Sequence, residues 1–172
     1  MMKFLAGRQQ GFNKNKNTSG FTLIEILLVL FITVILAGIG FSFYFTEQRA
    51  VMVLRNAARE MVGYLYFAQN KAIIQEERAD WGIHFNNPTT GAGFYTLYIG
   101  SGFSSAGARE TRHLPSMIEY VTPARGVSID VNFPRLTGRS LGNRQIVIRV
   151  INTGFTSTID INTEGVISYI MN

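Results

Sequence analysis

The sequence predicts an α+β protein, in which a long amino-terminal helix spans a membrane, continues as an amphipathic helix and packs on an antiparallel β domain. Three observations carry this reading. Residues 26–46 are 21 consecutive residues without a charge, most of them apolar. Residues 51–72 repeat apolar side chains at alternating spacings of three and four. From Trp81 onward the hydrophobic period falls to two and turn residues multiply.

The leader accounts for most of the charge. Residues 1–20 hold Lys3, Arg8, Lys14 and Lys16 and no acid, so they supply +4 of the net +5, and residues 21–172 hold 12 basic and 11 acidic side chains. Basicity gathered just ahead of an apolar run speaks of membrane orientation before it speaks of nucleic acid. The chain has no cysteine, which excludes thiol nucleophiles, Cys-ligated zinc, iron–sulfur clusters and disulfides. With 172 residues, 47% of them hydrophobic, it is long and apolar enough for one self-supporting core.

The uncharged run has the length a helix needs to cross about 30 Å of hydrocarbon. A buried core helix rarely stays apolar on every face for so long. Four positive charges precede the run, while Glu47 and Arg49 cancel after it, so the leader is expected in the cytoplasm and the rest outside. A cleaved secretory signal is the competing reading, with Ala37, Gly38 and Gly40 as its small residues. The long polar leader, the length of the run and Glu25 near its start argue against it.

Next, Val51, Leu54, Ala58, Met61, Leu65, Ala68 and Ala72 form one stripe, with Arg55, Arg59, Glu60, Gln69, Asn70 and Lys71 on other faces. No proline interrupts residues 21–80, so one continuous helix is expected there, weakest around Gly38, Gly40 and Ser42. The stripe reads most simply as a face packed on a sheet.

Strands are expected at 81–85, 94–99, 117–121, 127–133, 145–151, 155–161 and 166–170, with residues 100–108 as an exposed Gly/Ser-rich loop. The last three lie close together across short turns, which suits an antiparallel meander.

The informative stretch is Ser19-Gly20-Phe21-Thr22-Leu23-Ile24-Glu25. A basic polar leader ends in glycine, and an apolar helix then starts with phenylalanine and carries a lone glutamate as its fifth residue. This resembles the class III signal of type IV prepilins and type II secretion pseudopilins. The resemblance implies cleavage by a prepilin peptidase between Gly20 and Phe21, N-methylation of Phe21, and a mature subunit of residues 21–172. Glycine suits the junction because a protease needs close approach to an extended backbone.

The rest of the chain is similar to minor pseudopilins and pilins of the GspH/FimT type, on Asn56-Ala57-Ala58-Arg59, on residues 67–72 and on residues 158–167. Such chains carry two-sheet β domains that end in a strand–turn–strand with a near-terminal glycine. The chain departs from many pilins in having Gly38, Gly40 and Ser42 where they carry a helix proline, and in lacking the terminal disulfide.

The division implied is a cleaved leader, 1–20; a transmembrane and filament-core helix, 21–46; the amphipathic half of that helix, 47–80; and a β-rich globular part, 81–172. The partners implied are other pilin or pseudopilin subunits, the prepilin peptidase, a membrane-embedded assembly machinery and, before assembly, the lipid bilayer. No cofactor is implied.

Glu25 can also be argued from physics. A carboxylate in a membrane helix costs on the order of 2.5–3.5 kcal/mol. The resemblance assigns its compensation to the amino terminus of a neighbouring subunit. The local alternative places it four residues from Phe21, near the positive end of the helix dipole.

Enzymatic chemistry is not expected. His84 and His113 are the only histidines, and His84, within a strand, has no carboxylate or second histidine at ligand spacing. Gly91-Ala92-Gly93 leads into a strand and so is no dinucleotide loop, and no Asp-x-Asp series offers a metal site. Residues 109–149 carry a local +4, with Arg135, Arg139 and Arg144 in a turn-rich segment. Guanidinium groups there can contact DNA phosphates without reading sequence, as in a DNA-uptake pilus. The blander reading is a solvated loop balanced by acids elsewhere.

Overall fold

A computed structural model describes residues 20–172 and, for residues 40–47, the backbone alone. The rest of the leader, residues 1–19, lies outside the described residues. The chain divides into two units, residues 1–42 and 43–172. Helix α1 covers Leu23–Ile73.

In the first unit the apolar side chains from Leu23 to Ile39 are exposed. Residues 40–46 of the expected membrane span lie outside the described side chains. Among the described residues no helix is long and apolar enough to cross a membrane.

In the second unit α1 buries Ala50, Leu54, Ala57, Ala58, Met61, Leu65, Ala68 and Ala72. Six of the seven stripe positions are therefore core. Val51 is only half-buried, and Ala50 takes the inward place beside it. Five alanines on this face allow the helix to lie close to the sheets, and Leu54, Met61 and Leu65 supply the apolar area, each worth about 2 kcal/mol when buried.

The expected helix end is corrected. α1 stops at Ile73 and not near 80, because Gln75, Glu77 and Arg78 adopt left-handed backbone with φ of 57°, 55° and 52°. The Ala72 carbonyl accepts both the Gln75 N–H at 3.2 Å and the Leu136 N–H at 3.0 Å, so the helix end is held locally and from a distant loop. A short 3₁₀ turn, Glu76–Arg78, follows, and Trp81 Nε1–H donates to the Glu76 carbonyl at 3.1 Å.

Eight strands follow: β1 Trp81–Asn87, β2 Phe94–Ile99, β3 Ala108–His113, β4 Ile118–Thr122, β5 Val127–Phe133, β6 Arg144–Val150, β7 Thr156–Ile161 and β8 Ile167–Met171. They form two antiparallel sheets, ordered β3-β2-β1-β5 and β4-β6-β7-β8. The meander β6-β7-β8 and the β1-β2 hairpin stand as the sequence predicts.

Strand β3 is the one that periodicity does not reveal. Its residues, ARETRH, are exposed beyond Ala108 and show no apolar alternation, as suits a charged edge strand. It takes Ala108 from the expected loop and pairs with β2.

β1 is central and covered on both faces. Trp81, Ile83 and Phe85 join the helix in the core. On the opposite face Gly82 stands across from Tyr98, and a Cβ there would sit 2.6 Å from the Tyr98 ring and from the Val131 carbonyl oxygen. Glycine is what admits the buried phenol at this position.

Candidate functional site

The amino-terminal junction is built by local backbone chemistry. Thr22 immediately precedes α1, and its Oγ1 accepts the Glu25 N–H at 3.3 Å, so it acts as the helix cap. The Thr22 carbonyl accepts from Glu25 N–H at 3.1 Å and from Ile26 N–H at 3.2 Å. Thr22-Leu23-Ile24-Glu25 thus has the threonine-to-glutamate spacing of a capping box, with Glu25 in the first turn near the positive end of the dipole. Gly20, Phe21 and Glu25 are all exposed, Phe21 at 79%. Gly20 and Phe21 precede the helix and are therefore accessible backbone. Phe21, Glu25, Ile26, Val29 and Leu30 line one shallow apolar hollow.

The three arginines of the predicted basic segment are not a free cluster. Arg139 Nη2 pairs with Glu164 Oε2 at 2.8 Å. Arg144 donates from Nε to the Asp130 carbonyl at 3.2 Å and from Nη1 to the Asn143 carbonyl at 3.1 Å. Arg135 donates from Nη1 to the Arg78 carbonyl at 3.3 Å, and its N–H reaches Asp80 Oδ1 at 2.7 Å.

The segment itself is pinned to α1. Gln69 Nε2 donates both to the Gly138 carbonyl, at 2.6 Å, and to the Gly165 carbonyl, at 2.8 Å. One helix side chain so ties the β5–β6 loop to the β7–β8 turn.

His84 does have a carboxylate partner, supplied across the sheet. Its Nδ1 lies 2.5 Å from Asp130 Oδ1, Asn86 Nδ2 lies 3.3 Å from its Nε2, and the Phe103 ring stacks on it at 3.8 Å. His113 lies tilted against Phe94 at 5.6 Å. Among the described residues no group of three or more metal-ligating side chains is brought together.

A second cluster, which sequence reasoning missed, joins α1 to β3. Tyr64 Oη donates to Glu110 Oε1 at 2.8 Å, Arg112 Nε donates to both of those atoms at 2.9 Å, and Tyr95 Oη donates to Glu60 Oε1 at 2.9 Å. The bond from Tyr64, and then Arg112, holds the Glu110 carboxyl below its ordinary range. Burial, and then the bond to Glu60, pushes the Tyr95 phenol up. Only β3 brings Glu110 and Arg112 to the helix, and β3 left no periodic signal.

The geometry is that of a capped helix with exposed apolar side chains over residues 23–39, followed by a helical segment packed on two antiparallel sheets. Residues 15–41 match the family described as the prokaryotic N-terminal methylation motif. The structure is similar to the crystal structure of the Pseudomonas aeruginosa (strain PAO1) type IV minor pilin FimU, with a TM-score of 0.51 and 16% identity, over 68% of this chain and 92% of that one. No curated protein matches the chain. The chain thus carries the amino-terminal methylation motif over residues 15–41 and a fold like that of the minor pilin FimU.

Proposed function

We propose that the chain is a minor pilin-like subunit whose work is assembly and not catalysis. A prepilin peptidase cleaves it between Gly20 and Phe21 and the new amino terminus is methylated. The helix anchors it in the cytoplasmic membrane, with the leader inside and the β domain outside, until it is drawn with other subunits into a type II secretion pseudopilus or a type IV pilus. The observation that carries this reading is the Ser19–Glu25 junction, which couples an accessible Gly20–Phe21 bond to a threonine-capped helix start bearing a lone carboxylate. Exposed apolar side chains along 23–39 supply surface for packing in lipid and then in a filament.

Amino-terminal sequencing of the membrane-extracted protein tests the processing step, and a mature form starting anywhere but Phe21 sinks it. Glu25→Ala tests the assembly step. The variant still inserts, because a charge has left the apolar helix, but is incorporated poorly into filaments. Normal incorporation would return Glu25 to the local role of helix-end carboxylate.

A further inference from the structure

A groove of about 400 Å³ runs between α1 and β3, lined by Glu60, Gly63, Tyr64, Phe67 and Glu110. Its composition is unusual for a helix face. Glycine is the poorest helix former after proline, yet Gly63 stands in the interior of α1, where a Cβ would meet nothing within 4 Å. Packing inside the chain does not require it. Phe67, one turn on, is left 45% exposed. The Tyr64 ring, by contrast, is fixed: it meets Tyr95 edge-on at 5.5 Å and its hydroxyl is held by Glu110. Glu60 and Glu110 accept their hydrogen bonds through Oε1, so each keeps Oε2 for another donor.

We propose that this groove is a docking site for an arginine side chain presented by a partner protein, its stem lying over Gly63 between Tyr64 and Phe67 and its guanidinium meeting Glu60 and Glu110. Charge complementarity selects a cation, because Glu60 has only the Tyr95 hydroxyl as its partner among the described residues while Glu110 is shared with Arg112. Flat aromatic walls beside carboxylates select a guanidinium over an ammonium, because its plane stacks on rings and its fork matches a carboxylate. The same groups already hold one guanidinium from within the chain: Arg112 Cζ lies 5.9 Å from the Tyr64 centroid while its nitrogens bond Glu110. A single anchoring side chain in a preformed aromatic groove is the usual shape of an interface hot spot. The proposal stands whether or not the chain polymerises.

Isotope-labelled full-length chain in detergent micelles is titrated with acetyl-Leu-Arg-Leu-amide and, separately, with acetyl-Leu-Gln-Leu-amide, following backbone amide resonances. The arginine peptide is expected to give saturable shifts confined to residues 60–67 and 109–112, and the glutamine peptide to bind at least about tenfold more weakly. Gly63→Leu fills the groove and, having open space, keeps the unfolding midpoint while abolishing the saturable shifts. Glu60→Gln weakens the arginine peptide several-fold and leaves the glutamine peptide unchanged. No saturable shift with the arginine peptide, equal binding of both peptides, or arginine binding that survives in folded Gly63→Leu each overturns the proposal.

Discussion

His84 and Asp130 stand directly opposite each other on β1 and β5, with Nδ1 2.5 Å from Oδ1. The imidazole is buried, while the carboxylate reaches partly into solvent. Nδ1 faces Asp130 and Nε2 faces Asn86 Nδ2, so both ring nitrogens have a polar partner. Phe103 closes the stack from the loop that follows β2. The pair fastens that loop and the edge strand β5 to the central strand.

Asp130→Ala is expected to cost about 1–3 kcal/mol, because it leaves a buried ring N–H without an acceptor. Asp130→Asn, which keeps an acceptor oxygen, loses less. Denaturant unfolding followed by Trp81 fluorescence measures both, and equal losses would show that charge, not the hydrogen bond, matters.

Gln69 is expected to be the most sensitive polar position on α1. Gln69→Leu removes two bonds at once, at Gly138 and Gly165, for a loss of about 2 kcal/mol. Amide hydrogen exchange should accelerate at both residues 136–140 and 163–166. Acceleration at only one segment would show that the two loops are fastened independently.

Gly165→Ala is expected to be worse than an ordinary turn substitution. The backbone there has φ of 80°, and an added Cβ would run into the Gly138 carbonyl oxygen. Strain and collision together should exceed about 2 kcal/mol in the unfolding free energy. Gly154→Ala, where a Cβ meets nothing, serves as the control and should stay within about 0.5 kcal/mol.

Alkaline stability should report Tyr98. Burial raises its phenol from about 10 to about 12, so the fold favours the neutral form. That contribution is fully present below pH 10 and is lost as pH rises towards 12, by on the order of 2 kcal/mol. Tyr98→Phe should flatten the fall in unfolding midpoint between pH 10 and 12. An unchanged slope would assign the alkaline loss to Tyr95 and Tyr120, whose phenols burial also raises.

Duplex DNA is expected not to bind at physiological salt. Arg139 already has Glu164, and Arg135 and Arg144 already hold carbonyls, so few phosphate contacts are available against screening. Electrophoretic mobility of labelled duplex with the full-length chain decides it. Tight binding that is lost on replacing Arg135, Arg139 and Arg144 by alanine would establish a phosphate site.

The sequence by itself determined whatever depends on neighbours along the chain. The helix start at Thr22–Glu25, the helical stripe from Leu54 to Ala72 and seven of the eight strands are written as local periods and caps, and each appears where its pattern lies. Tertiary structure decided what depends on meeting across space. α1 ends at Ile73 where Gln75, Glu77 and Arg78 turn left-handed, and Leu136, 64 positions beyond Ala72, adds a second donor to the Ala72 carbonyl. β3 exists because β2 offers it an open edge, not because ARETRH alternates. His84 acquires its carboxylate, and Tyr64 its glutamate, only when the chain folds back to bring residues 46 positions apart within hydrogen-bond reach. Periodicity records which face of an element is apolar; it carries no information about which polar side chain another element will place opposite, because that is set by sheet order and register.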